Sequence, residues 1–350
     1  MKILVRGTNW IGDAVMSIPA LRELRRIFPN DQITLHTRSW ADGIFQDASF
    51  IDEIVTYDKN RWRVTDVLDN SKFLRSDKYD LAVIFPNSFE SALTMFLSKI
   101  PRRIGYNKDG RGLLLTDPIA VPEWKGRRHE AFYYLDLVAN VEQIVLGRET
   151  VNFQIPNGML EISDFRRNKA RKKLAMLGVD LSKKIVALGV GSTNSRAKRW
   201  PAESYAELAE KFTLTGKFVV ILVGSKDEVE VSHEVLRKSS SNVVNVVGNT
   251  DLGEAASILC ESEILIANDM GLAHLAPAVG TRTIVIFGPT DPETTRPFSP
   301  YSQIITANVD CAPCMLRDCP IDHRCMTRIS PDAVFSRAME ILMSKEDADG

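Results

Sequence analysis

Short apolar runs alternate with helix-like stretches along most of this 350-residue chain, and that alternation is the strongest constraint on its fold. A first series passes through Lys2–Arg6, Gln32–His36, Glu53–Tyr57 and Leu81–Phe85, with a helical spacing of apolar residues over Ile18–Ile27. A second restarts at Lys184–Leu188 and continues through Lys217–Val223, Asn242–Val247, Glu263–Ala267 and Thr283–Phe287. Strand patterns separated by helical crossovers predict an α/β protein with parallel, doubly wound sheets. Between the series lie Val151–Gly158, ending in Pro156-Asn157-Gly158, and the charged helical stretch Ser163–Leu177. The expected division is therefore a first domain over 1–160 and a second over 161–350. Pro331–Ser344 reads as an amphipathic helix able to pack back on the first domain, and Lys345–Gly350 as a frayed end.

Composition narrows the class. A chain that is 44% hydrophobic and 25% charged is ordinary for a soluble globular protein. No apolar run approaches the roughly 20 residues of a membrane span, and the chain opens directly on the strand pattern Lys2-Ile3-Leu4-Val5 instead of a signal peptide, so the cytoplasm is the expected compartment. A formal net charge of -1 argues against a nucleic-acid partner. The basic pairs Arg61/Arg63, Arg102/Arg103 and Arg127/Arg128 nevertheless all fall in the first half.

Two segments point to phosphate. Ile264-Leu265-Ile266-Ala267-Asn268-Asp269-Met270-Gly271-Leu272-Ala273-His274-Leu275 reads as a buried strand that ends in polar residues and passes into a helix, whose free N–H groups and dipole favour an anion. Gly191-Ser192-Thr193-Asn194-Ser195-Arg196-Ala197-Lys198-Arg199-Trp200-Pro201 follows the apolar run Lys184–Val190, and its hydroxyls and paired cations before Pro201 suit a diphosphate. Neither half carries a dinucleotide fingerprint: Gly7-Thr8-Asn9-Trp10-Ile11-Gly12 lacks the middle glycine, and Gly189-Val190-Gly191 lacks the third. Hydride transfer is disfavoured accordingly.

Taken in order, Leu4-Val5-Arg6-Gly7…Trp10-Ile11-Gly12-Asp13, Phe85-Pro86-Asn87-Ser88-Phe89, Ala197-Lys198-Arg199-Trp200-Pro201, Val223-Gly224-Ser225-Lys226-Asp227 and Asn268-Asp269-Met270-Gly271-Leu272-Ala273-His274 resemble the ADP-heptose:lipopolysaccharide heptosyltransferases, nearest to the heptosyltransferase II branch of glycosyltransferase family 9. The resemblance covers nearly the whole chain. It implies a GT-B architecture, two Rossmann-like domains facing a central cleft, with the acceptor in the first and the nucleotide sugar in the second. The implied reaction is metal-independent, inverting transfer of L-glycero-D-manno-heptose from ADP-heptose to the inner core on a Kdo-lipid A acceptor. No cofactor is implied, and the protein is expected as a monomer in peripheral contact with the cytoplasmic face of the inner membrane. Carried onto this sequence, Asp13 is the catalytic base and Lys198 the phosphate-binding lysine. Gly12, Ser192, Thr193, Gly224, Asn268, Asp269, Met270, Gly271 and His274 would line the donor site, Val247, Gly248 and Asn249 the adenine loop, and Asp227 or Glu228 the ribose.

The chemistry supports these roles separately. A single displacement needs a base for the acceptor hydroxyl and cations or N–H donors for the departing diphosphate. Asp13 also reads as a helix N-cap, although Met16 completes no capping box; Lys198 also reads as a solvated charge, and His274 as a satisfied core histidine. Arg61, Arg63, Asn87, Arg102, Arg103, Arg127 and Arg128 are candidates for an anionic acceptor or bilayer, while a solvated face explains any one pair equally well. Cys311, Cys314, Cys319 and Cys325 lie within fifteen residues of one another, with His323 among them. Reduced thiols are the preferred reading, with a structural metal or disulfides as alternatives. Two other functions stay open: a related GT-B enzyme with another nucleotide sugar or acceptor, including a sugar-nucleotide epimerase, and a non-enzymatic module whose cysteines bind metal.

Overall fold

The computed structural model describes residues 1–58, 64–154, 157–193 and 195–346, and it divides into two compact units, Met1–Gly158 and Met159–Gly350. The first contains β1 (Lys2–Arg6), β2 (Gln32–Arg38), β3 (Glu53–Tyr57), β4 (Leu81–Ile84), β5 (Arg102–Tyr106) and β6 (Asp117–Ile119), ordered β3-β2-β1-β4-β5-β6. The second contains β7 (Lys184–Gly189), β8 (Phe218–Val223), β9 (Val243–Asn245), β10 (Ile264–Asn268), β11 (Arg282–Phe287) and β12 (Ser302–Thr306), ordered β12-β11-β10-β7-β8-β9. Counted from each unit's own first strand, the two orders are the same. All these ladders are parallel.

The central strands read as continuous apolar runs because helices cover both their faces. Ile3, Leu4 and Val5 of β1, and Ile264, Leu265 and Ile266 of β10, are fully buried. In the first unit, Leu4, Ala82, Ile84, Ala92 and Met95 share one core cluster. In the second, Leu188, Ile266 and Ile286 pack with Trp200, Tyr205 and Phe212. The helix Pro331–Glu346 adds Val334, Ala338 and Leu342 to that same cluster and lies against the helix Ala202–Leu214.

In a doubly wound sheet the crossovers leave in opposite directions on the two sides of one point, and the gap opens outside the carboxyl ends of the strands there. For the first unit the switch lies between β1 and β4; for the second, between β7 and β10. The segments leaving those four strands begin at Gly7, Phe85, Val190 and Asp269. They are the segments that carry Asp13, Asn87, Lys198 and Asp269.

Candidate active site

At the switch point of the second unit, β7 is followed by a single helical turn, Arg196–Lys198, with Ser195 at its N-cap. Lys198 places its Nζ 2.6 Å from Oδ2 of Asp269, which directly follows β10, and the pair is largely buried. Thr290, beyond the end of β11, donates its hydroxyl to the same oxygen at 2.7 Å. Asn268 bonds elsewhere. Its amide donates to the carbonyls of Val190 and Gly191, and its Oδ1 accepts from Trp200 N–H and the Tyr205 hydroxyl. With its side chain so occupied, Asn268 ties the two loops together. Met270 is the N-cap residue of the helix Gly271–Ala278, in which His274 is buried. The turn and the helix start thus bring an ammonium, a hydroxyl and N–H groups to one edge.

Glu228 joins the next two loops. It is 2% exposed, and its Oε2 accepts from Ser225 N–H at 2.7 Å and from Ser225 Oγ at 3.1 Å, completing a capping box. Burial raises its pKa. Its carboxylate lies against the bare Cα positions of Gly191 and Gly224, where added Cβ atoms would collide with it. Asp227 is exposed. Gly248 donates its N–H to the Gly224 carbonyl at 3.1 Å and adopts φ +76, holding the Val247–Asn249 turn beside the loop after β8. Ser192 is buried and Thr193 exposed.

At the switch point of the first unit, the N-cap position of the helix Ile11–Met16 belongs to Trp10, so the capping alternative for Asp13 does not hold. Asp13 stands in the first turn, partly buried, with Oδ1 accepting from the Tyr134 hydroxyl at 3.2 Å. Burial, reinforced by the charge of Glu130, raises its pKa to about 6; the Tyr134 hydrogen bond and Lys125 oppose the rise. Lys125 pairs with Glu130 and lies 4.0 Å from the centroid of the Tyr133 ring. Across the switch point, Asn87 Oδ1 accepts from the Tyr133 hydroxyl at 3.2 Å, beside the fully buried Arg111. A partly buried carboxylate with a pKa of about 6 at a parallel-sheet switch point is equipped for proton transfer.

The model of glycosyltransferase family 9 (heptosyltransferase) matches residues 67–324. The chain belongs to glycosyltransferase family 9. It is 26% identical over 361 residues to the lipooligosaccharide heptosyltransferase 2 of Haemophilus ducreyi, covering 98% of this chain and 99% of that one. It is 28% identical over 322 residues to the lipopolysaccharide heptosyltransferase 2 of Salmonella typhimurium, covering 87% and 88%. The E. coli ADP-heptose lps heptosyltransferase II structure matches with a TM-score of 0.83 at 24% identity, covering 99% of this chain and 100% of that one. The fold is of the GT-B type, as the resemblance implied, and its parallel, doubly wound sheets are those the alternating pattern predicted.

The remaining candidate residues of this glycosyltransferase are distributed unevenly. Arg102 and Arg103 stand at the amino end of β5, away from the switch-point edge. Arg102 bonds Asp117 and the Ile144 carbonyl, and Arg103 the carbonyls of Leu114 and Ile100. Arg127 and Arg128 are exposed in the segment that also carries Lys125; the Arg128 guanidinium lies 3.7 Å from the Phe132 ring centroid. Arg61 and Arg63 lie outside the described residues. All five cysteines are free, and among the described residues no group of three or more His, Cys, Asp or Glu side chains forms a metal site. Nor is any described helix long and apolar enough to cross a membrane. Sequence reasoning missed Thr290 and Tyr134. Thr290 follows an apolar strand and Gly288-Pro289, so the rule that ligands bind at strand carboxyl ends would have found it. Tyr134 is 121 residues from Asp13 and leaves no local signal.

Proposed function

We propose that this glycosyltransferase transfers L-glycero-D-manno-heptose from ADP-heptose to a Kdo-lipid A based inner-core acceptor of lipopolysaccharide, inverting the anomeric centre without a metal. It would act as a monomer at the cytoplasmic face of the inner membrane. The observation that carries the reading is the equipment of the two switch points: a carboxylate with a pKa of about 6 at one, and at the other a lysine paired with Asp269, whose same oxygen also accepts from Thr290.

In this reading Asp13, ionised, takes the proton of the acceptor hydroxyl as that oxygen attacks the anomeric carbon. The carbon–oxygen bond to the β-phosphate breaks at the opposite face, and its electron pair leaves with ADP. Lys198 and the N–H groups at the start of the Gly271–Ala278 helix stabilise the charge that develops on the departing diphosphate. Ser192 and Thr193 border the same anion, and Asp269 keeps the ammonium aimed. Val247, Gly248 and Asn249 flank the adenine. Asn87, Arg127 and Arg128 would meet the anionic acceptor, whereas Arg102 and Arg103 are engaged at the amino end of β5, and the exposed arginines suit an anionic membrane surface.

Support for the donor class comes from the named relatives and from the charge requirement. The experiment is a binding titration with ADP, UDP and GDP, repeated with Lys198→Ala. ADP should bind best, and Lys198→Ala should weaken it roughly 10- to 150-fold, as expected for losing a charge-assisted contact. Adenosine, which lacks phosphates, should bind both proteins equally. Preference for UDP would overturn the heptose donor, and equal loss of ADP and adenosine would overturn the phosphate role of Lys198.

A further inference from the structure

The cysteine-bearing segment has no place in the chemistry above, yet its contacts converge on the elements that hold Lys198. Residues 307–323 contain no regular secondary structure. The Arg317 carbonyl accepts from Ala197 N–H at 2.9 Å and from Ser195 Oγ at 3.1 Å. Asp318 pairs with Arg196 at 2.7 Å. His323 Nε2 lies 2.6 Å from the Ala197 carbonyl, and because a carbonyl only accepts, Nε2 carries the proton. Both backbone polar groups of Ala197, the residue before Lys198, are therefore satisfied by this one segment. Beyond Lys198, the Trp200 indole donates to the Ile329 carbonyl at 2.9 Å. On the other side, Met315 N–H donates to the Pro289 carbonyl at 2.7 Å, next to Thr290.

His323 itself is built into place. Its backbone is left-handed, φ 57 and ψ 26, at the N-cap of the short helix Arg324–Thr327, and its N–H approaches Cys319 Sγ at 3.3 Å. Two residues later Cys325 is buried with Met326 against Gly288, where a Cβ would press on both side chains. The segment is thus anchored on the loop after β11 and reaches across to the turn after β7. Those two elements supply Thr290 and Lys198 to the same Asp269 oxygen.

We propose that the segment 311–329 is a clasp that positions the donor diphosphate site, with His323 the positioning residue that fixes the Lys198 turn. The inference rests on the phosphate role given to Lys198 above. His323 touches no substrate. It acts through Ala197, holding the turn so that the lysine meets the diphosphate without first having to be ordered. An unfixed turn costs affinity for phosphate-bearing ligands and leaves the nucleoside part alone.

The test compares His323→Ala with His323→Gln in the full chain. Both impose the same left-handed strain on a non-glycine residue, but only glutamine keeps an N–H that can reach the Ala197 carbonyl. His323→Ala should weaken ADP about tenfold, the scale of one lost hydrogen bond, and raise the donor KM with the acceptor KM unchanged. Adenosine should bind as to the parent protein, and His323→Gln should recover ADP affinity to within about threefold. In a Lys198→Ala background, His323→Ala should add little, because the lysine it positions is gone. Unchanged ADP affinity in a folded His323→Ala protein overturns the clasp, as does equal loss of ADP and adenosine, or full additivity in the double variant. If Lys198→Ala alone leaves ADP binding intact, it is the phosphate role of the lysine that fails instead.

Discussion

Asp13 carries opposite consequences for rate and for stability. Its folded-state pKa of about 6 lies above the ordinary 3.8, so the folded chain holds this proton more tightly than the unfolded chain does. The ionised form is then a cost that grows as pH rises from about 4 to about 6, up to about 3 kcal/mol. Asp13→Asn should therefore lower turnover about 10²–10⁴-fold while raising the denaturation midpoint at pH 8, with the gain fading as pH falls toward 4. Denaturant titrations at both pH values, beside transfer assays, check the pair of effects. Loss of stability at pH 8 would contradict the burial account. The parent enzyme's kcat/KM should rise with pH through about 6 and then level off, since only the carboxylate accepts a proton. Tyr134→Phe removes a hydrogen bond that favours the ionised form, so the same limb should move to higher pH. A limb that stays put would remove Tyr134 from the tuning of Asp13.

Among elements, the loops after β7 and β8 are joined through one buried carboxylate. The Glu228 side chain fills the space that a methyl on Gly191 would need, and its bonds to Ser225 leave it little room to retreat. Gly191→Ala should destabilise the protein by about 1–3 kcal/mol through overpacking and weaken ADP. Thermal unfolding at parent-like temperature would refute this. Elements also differ in how far the sequence alone reveals them. The buried central strands are legible within a residue or two because a run covered on both faces needs no alternation to be recognised. The strands that escape such reading, β5, β6 and β12, lie toward the sheet edges. The first opens with Arg102-Arg103, the second is three residues long and contains Pro118, and Ser302–Thr306 is only partly buried. Charge alone makes the strand start at Arg102/Arg103 look like an anion site. Lys198 and Asp269 are legible because strand-loop-helix chemistry is local. The Thr290 bond to Asp269, the ties of Asn268 to the loop after β7, and the packing of Glu228 against Gly191 come from contacts between distant parts of the chain that no local pattern records.

At the scale of the molecule, one strand order is used twice, and each unit has its own sheet and core. Met95 is fully buried in the first unit's cluster, and Leu342, on the C-terminal helix, belongs to the second's. Met95→Ala and Leu342→Ala each remove buried methylene groups, at about 2–5 kcal/mol for well-packed sites. The donor residues proposed here, other than Gly12, lie in the second unit, so ADP should offset Leu342→Ala by mass action, roughly 2.7 kcal/mol at a hundred times Kd. It should not slow amide exchange in β1 and β4 of the Met95→Ala protein. Exchange measured strand by strand with and without ADP gives the answer. Protection confined to β7, β10 and the loops that follow them is the expected pattern. Equal protection of β1 and β4 would mean that nucleotide binding is felt by both cores, and the assignment of the donor to one unit would have to be given up.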